Sequence, residues 1–124
     1  MKVSKHCYIY PNEVIHIGSG YINDDYKIII TMKNGSKILA SHPIKHKNIL
    51  SELRLKLTSI YSDCYVIPSE VIHVGIKIGK AEFDNSIIVT MKNGSEIVVC
   101  DIDNYDLNSD LPASIIESIV SKIN

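Results

Sequence analysis

Apolar and polar positions follow the two-residue period of strands through most of the chain and switch to the helical period twice. The blocks "VIHIG" (Val14 to Gly18) and "VIHVG" (Val71 to Gly75) predict strands. Each is entered through a proline, Pro11 or Pro68, whose missing N–H suits a strand start. Next come "IIITMKNGSKI" from Ile28 and "IIVTMKNGSEI" from Ile87, identical at nine of eleven positions. Asn-Gly between β-branched residues predicts a hairpin with a two-residue type I′ turn, here at Asn34-Gly35 and Asn93-Gly94. That turn pairs Lys33 with Ser36 and Lys92 with Ser95, and further in sets Ile30 against Leu39 and Val89 against Val98. One face of the second hairpin then carries Ile87, Val89, Met91, Val98 and Cys100, and the other Ile88, Thr90, Ile97 and Val99. Both faces are aliphatic, which predicts cover on both sides, by helices, by the sister repeat or by a second protomer. A homodimer is expected.

The helical period appears first in "IKHKNILSELRLKLTSIY", with Ile49, Leu50, Leu53, Leu57, Ile60 and Tyr61 on one stripe and Pro43 near its start. It returns after Ser109 or Asp110 as cap, with Pro112 in the first turn and Leu111, Ile115, Ile116, Ile119, Val120 and Ile123 aligned. Between hairpin and second helix lies an acidic, turn-rich loop, Asp101 to Asp110.

The similarity between halves extends beyond the hairpins. "CYIYPNEVIHIG" from Cys7 matches "CYVIPSEVIHVG" from Cys64 at eight of twelve positions, 57 residues on, whereas the hairpin copies lie 59 apart. Two extra residues therefore fall between Gly75 and Ile87, where the halves diverge most. The reading is one α+β domain over residues 1–124, a tandem βββα repeat (about 7–61 and 64–123) with an antiparallel sheet and two amphipathic helices.

Composition adds exclusions. The 124 residues are 45% hydrophobic and 22% charged, with net charge −1, so the broad positive field that drives non-specific nucleic-acid binding is missing. No apolar run reaches the roughly 20 residues that span a bilayer, and the N-terminus lacks a signal-peptide pattern, which predicts a soluble, cytoplasmic protein. Abundant Ile, Lys and Asn, with twelve lysines to one arginine, point to a low-GC bacterium or its phage. Cys7, Cys64 and Cys100 are odd in number and lack C-x-x-C spacing, so they read as buried thiols.

No catalytic signature emerges. His16 and His73 occupy equivalent strand positions without a third metal ligand, His42 and His46 lack the H-E-x-x-H pattern, and Glu13 and Glu70 have no nucleophile beside them. There is no phosphate loop, dinucleotide fingerprint or nucleophile elbow, so neither an enzyme nor a cofactor is expected. A binding surface remains. Phe83, the only phenylalanine, lies in the diverged loop beside Asp84, ten residues before Asn93. Its ring either plugs the end of the core or stacks a nucleobase, and asparagine can hold a base edge or ribose hydroxyl. Lys92 and Arg54 are candidates for phosphate contacts, and Gly94 and Tyr105 complete the candidate set.

The pattern "EVIHI … YKIIITMKNGSKIL … helix" resembles the FlbD-type flagellar proteins and half of a LytTR DNA-binding domain, over one repeat. That resemblance implies a structural or regulatory interaction module, DNA-binding in the LytTR case. In overall form, and at Phe83 and Asn93, the chain is similar to the first family of phage Thoeris anti-defence proteins. This second resemblance implies a viral, non-enzymatic sponge that sequesters a cyclic ADP-ribose isomer signal without cleaving it, inside an infected or lysogenic host. It implies that Phe83 and Asn93 carry the ligand. Some members also hold cyclic trinucleotides through arginines; Thr58 and Asp110 stand near those places, so that second activity is not implied.

Overall fold

Both Asn-Gly hairpins close one residue away from the register that a type I′ turn sets. In the computed structural model, which describes residues 2–4, 7–40, 47–79 and 85–124, Ile30 faces Ile38 and Val89 faces Ile97. Gly35 N–H donates to Met32 O and Met32 N–H to Ser36 O, both at 2.9 Å, and the same bonds join Gly94, Met91 and Ser95. Only the glycine of each turn has positive φ, 91° at Gly35 and 89° at Gly94. The connection is thus a three-residue loop with glycine in the left-handed position, and the asparagine is held by its own side chain. Ser36 N–H donates to Asn34 Oδ1 at 2.9 Å and Ser95 N–H to Asn93 Oδ1 at 2.8 Å.

The chain forms two compact units, Met1–Ile67 and Pro68–Asn124. In the first, β1 (Lys2–Ser4) and β2 (Cys7–Tyr8) make a small antiparallel hairpin. A 3-10 turn over Pro11–Glu13 leads to β3 (Val14–Ile22), then β4 (Asp25–Met32) and β5 (Lys37–Ala40). Between β3 and β4, Asn23 and Asp24 both have positive φ, 52° and 67°, and Ile22 faces Asp25. The two-residue turn expected at Asn-Gly is therefore found at Asn-Asp. After α1 (Lys47–Arg54) come β6 (Thr58–Tyr61) and β7 (Cys64–Val66), and the antiparallel order is β5-β4-β3-β7-β6. Ile9, Val14, Ile17, Ile28, Ile30 and Leu53 form its core, with Leu57 and Tyr65 packed against it.

The first helix is shorter than its apolar stripe suggests. It ends at Arg54, and Ile60 and Tyr61, expected on the helix, lie in β6; the expected start at Pro43 lies outside the described residues. Lys56 N–H reaches Leu53 O and Leu57 N–H reaches Arg54 O, so the last turn tightens before the chain extends. "TSIY" then pairs across Ser62-Asp63, with Asp63 at φ 53°. Strand pairing overrides the helical period here.

In the second unit a 3-10 turn over Pro68–Glu70 precedes β8 (Val71–Lys77), β9 (Ser86–Met91) and β10 (Glu96–Asp101). A third 3-10 turn, Asn104–Asp106, leads to α2 (Leu111–Ile123), and the strand order is β10-β9-β8. The second helix starts where expected, with Asp110 at the cap and Pro112 in the first turn; Leu111 N–H donates to Ser109 Oγ at 3.3 Å. The shifted register puts Val89 and Ile97 on one face and Ile88 and Val98 on the other. Along β10 only Ile97 is buried, while Glu96 and Val98 are exposed, so the cover expected on both faces reaches β9 but not all of β10. The architecture is α+β, with antiparallel sheets and two helices. No helix among the described residues is long and apolar enough to cross a membrane.

Candidate functional site

The repeated motifs bind one another. Lys33 N–H donates to Glu13 O and Lys92 N–H to Glu70 O, both at 2.8 Å, so in each half the 3-10 turn before the first strand fastens the hairpin turn. His16 Nδ1 and Thr31 Oγ1 share a hydrogen bond of 2.9 Å, and the equivalent His73 Nδ1 and Thr90 Oγ1 one of 3.4 Å. Each imidazole lies over the glycine two residues on: a Cβ at Gly18 would stand 2.8 Å from His16 Nε2, and one at Gly75 2.7 Å from His73 Cε1. The motif "EVIHxG" with "TMKNGS" is therefore one self-complementary scaffold, used twice.

Burial acts strongly on two groups in the first unit. The His16 pKa falls from 6.5 to about 4, first through burial and second through the nearby Lys37 charge, so the ring is neutral at neutral pH. Burial pushes the Cys64 thiol up to about 12, which makes it an inert apolar filler. Cys7 and Cys100 are half-buried rather than fully buried. Among the described residues no three His, Cys, Asp or Glu side chains gather to hold a metal. His42 and His46 lie outside the described residues.

The same strand has opposite surroundings in the two units. In β3, Ile15 is 0% exposed and His16 and Gly18 are buried, whereas in β8 Ile72 is 61% exposed, His73 is exposed and Gly75 half-buried. The cause is edge pairing. β7 lies along the free side of β3, with His16 facing Val66 and Ile17 facing Tyr65, and Ile67 N–H donating to Ile15 O at 3.0 Å. Among the described residues β8 pairs with β9 alone. Beside it lies an open groove of about 220 Å³, walled by Val71 to Val74 on one side and by Val120 and Ile123 of α2 on the other. Sequence reasoning missed this surface because "VIHIG" and "VIHVG" carry no signal of which copy has its edge covered.

The candidate residues fall at separate places. Lys92, Asn93 and Gly94 form the exposed turn that closes β9 and β10. Tyr105, 92% exposed, follows the far end of β10, where Ile102 N–H donates to Asn85 O at 2.8 Å. Phe83 and Asp84 lie outside the described residues, directly before Asn85 in sequence. Asn93 and Tyr105 thus belong to opposite ends of the β9–β10 hairpin, whose strand β9 is about 17 Å long at the usual rise of about 3.3 Å per residue. Arg54 belongs to the first unit, where its guanidinium lies 4.9 Å from the Tyr65 ring centre. Its buried Nε has no hydrogen-bond partner.

No protein-family model, curated protein or solved structure matches the chain.

Proposed function

We propose that the chain is a non-enzymatic sponge for a cyclic ADP-ribose isomer, built on a duplicated βββα scaffold and acting as a homodimer. The observation that carries this reading is the Lys92-Asn93-Gly94 turn, whose backbone is fixed by hydrogen bonds to Met91, Ser95 and Glu70 while the Lys92 and Asn93 side chains are exposed. A fixed turn offers an ammonium and an amide to an anionic, base-containing ligand at little ordering cost. The diverged segment with Phe83 adjoins the opposite end of β9. A site between protomers supplies stacking, polar contacts and exclusion of water together.

The test is capture. Purified protein incubated with cyclic ADP-ribose isomers depletes one of them from solution, and heat denaturation returns it intact, as read by mass spectrometry. Phe83→Ala abolishes capture without moving the melting temperature, and Asn93→Ala weakens it by about 10-fold to 100-fold, on the order of a lost charged-ligand hydrogen bond. Absence of depletion for every isomer overturns the reading, and a cleaved product makes the protein an enzyme. The bare β8 edge favours a second reading, an interaction module of the kind the FlbD and LytTR resemblance implies. DNA binding under that reading shows as a salt-dependent anisotropy change, and a flat titration at low salt removes it.

A further inference from the structure

Arg54 is the only arginine of the chain, and its charge is held by an aromatic face rather than by an acceptor. The guanidinium carbon lies 4.9 Å from the centre of the Tyr65 ring. Among the described residues Arg54 joins no ion pair, and its buried Nε has no hydrogen-bond partner. Glu52, two residues earlier on α1, is exposed and does not pair with it. A buried N–H left unbonded carries the full cost of its desolvation. The ring attracts the charge without satisfying the donors, and a planar guanidinium presents them as a fork that fits two carboxylate oxygens.

The same end of α1 walls a cleft of about 200 Å³ in the first unit. Pro11, Val14, Leu53, Leu57 and Ile67 make it apolar, and Asn12 and Lys56 are its polar residues. Leu53 and Leu57 bracket Arg54 in the chain, in a turn tightened by the bonds from Lys56 N–H to Leu53 O and from Leu57 N–H to Arg54 O. On the strand side, Tyr65 and Ile67 alternate with buried Val66 and so face one way. Tyr65 and Leu57 pack against the same core. The guanidinium over Tyr65 therefore stands at the margin of the cleft. We infer that this place binds a small organic carboxylate, with its apolar tail in the cleft and its head on Arg54, and with Lys56 as the second cation. At about 30 Å³ for each water-sized group, the cleft takes a tail of about five or six carbons and is too small for a nucleoside. The site is therefore separate from the one proposed at the Lys92-Asn93-Gly94 turn.

Because Arg54 is the only arginine, the chain has a single arginine Nε–H resonance, which reports directly on the buried donor. Titration of the full chain with hexanoate, followed by heteronuclear NMR, shifts that resonance saturably together with the backbone amides of Asn12 and Leu57. Hexanamide keeps the tail without the charge, and acetate keeps the head without the tail. Each binds at least about 10-fold more weakly than hexanoate. Arg54→Met keeps an apolar stem and loses the fork, so hexanoate no longer moves the Asn12 and Leu57 amides, while the circular dichroism spectrum is unchanged. The titration of the native chain stands whether or not that variant folds. An Nε–H resonance that moves no further than with an equal concentration of sodium chloride overturns the inference, and so does hexanamide or acetate binding as tightly as hexanoate. No cyclic ADP-ribose isomer is in the sample, so failure here leaves ligand capture to be judged by its own assay.

Discussion

Ile15→Ala lowers the stability of the first unit by about 2–5 kcal/mol, while Ile72→Ala, the same change at the equivalent position, costs under about 0.5 kcal/mol in the dilute chain. The two isoleucines sit in identical "EVIH" contexts and have the same intrinsic strand propensity. Only their surroundings differ. Ile15 has no exposed surface, so truncation removes buried methylenes and leaves a cavity that the neighbouring strands fill only in part. Ile72 keeps most of its surface in water, so its truncation removes little burial. Urea unfolding of both variants, at a protein concentration low enough to keep copies apart, reads the difference directly. Equal losses show that the β8 edge is covered within the chain.

Acid weakens the first unit through one imidazole. In the unfolded chain His16 titrates near 6.5, and in the folded chain near 4. Between these values the unfolded chain holds a proton that the folded chain does not, so stability falls as pH falls through the window from about 6.5 to about 4. Above that window the contribution of neutral, buried His16 is fully present. The two values correspond to about 3 kcal/mol lost by pH 4. The ring cannot charge in place without an ion partner, since its neighbours are Thr31 Oγ1 and the bare backbone at Gly18, and Lys37 adds repulsion. Urea midpoints measured across this range for the native chain and for His16→Gln separate this group from the carboxylates. The native chain shows the extra slope and the variant does not; parallel slopes refute the assignment.

Part of this was legible in the chain alone. The duplicated blocks, the strands at Val14 and Val71, the hairpins after Ile28 and Ile87, and the second helix after Asp110 and Pro112 follow from period and local chemistry. The hairpin register did not follow, because Asn-Gly serves both a two-residue turn and a three-residue loop, and the asparagine side chain selects the second by capturing the serine N–H. The end of the first helix was missed because "TSIY" fits the apolar stripe as well as it fits β6, and only the pairing with β7 decides. Of the candidate site, the sequence identified the residue types, and the structure put Lys92, Asn93 and Gly94 on one turn, Tyr105 at the far end of β10 and Arg54 in the other unit.

What the sequence determined by itself is the duplication of the "EVIHxG" strand and the "TMKNGS" hairpin, and the structure added the histidine over its glycine and the turn fastened to the preceding carbonyl. What only the tertiary structure decided is which copy is sealed. Burial of a strand edge depends on a partner that arrives from a distant part of the chain or from another chain, and local propensity is blind to that partner. "VIHIG" is core because β7 lies beside it, and "VIHVG" is surface because β8 has no such neighbour among the described residues.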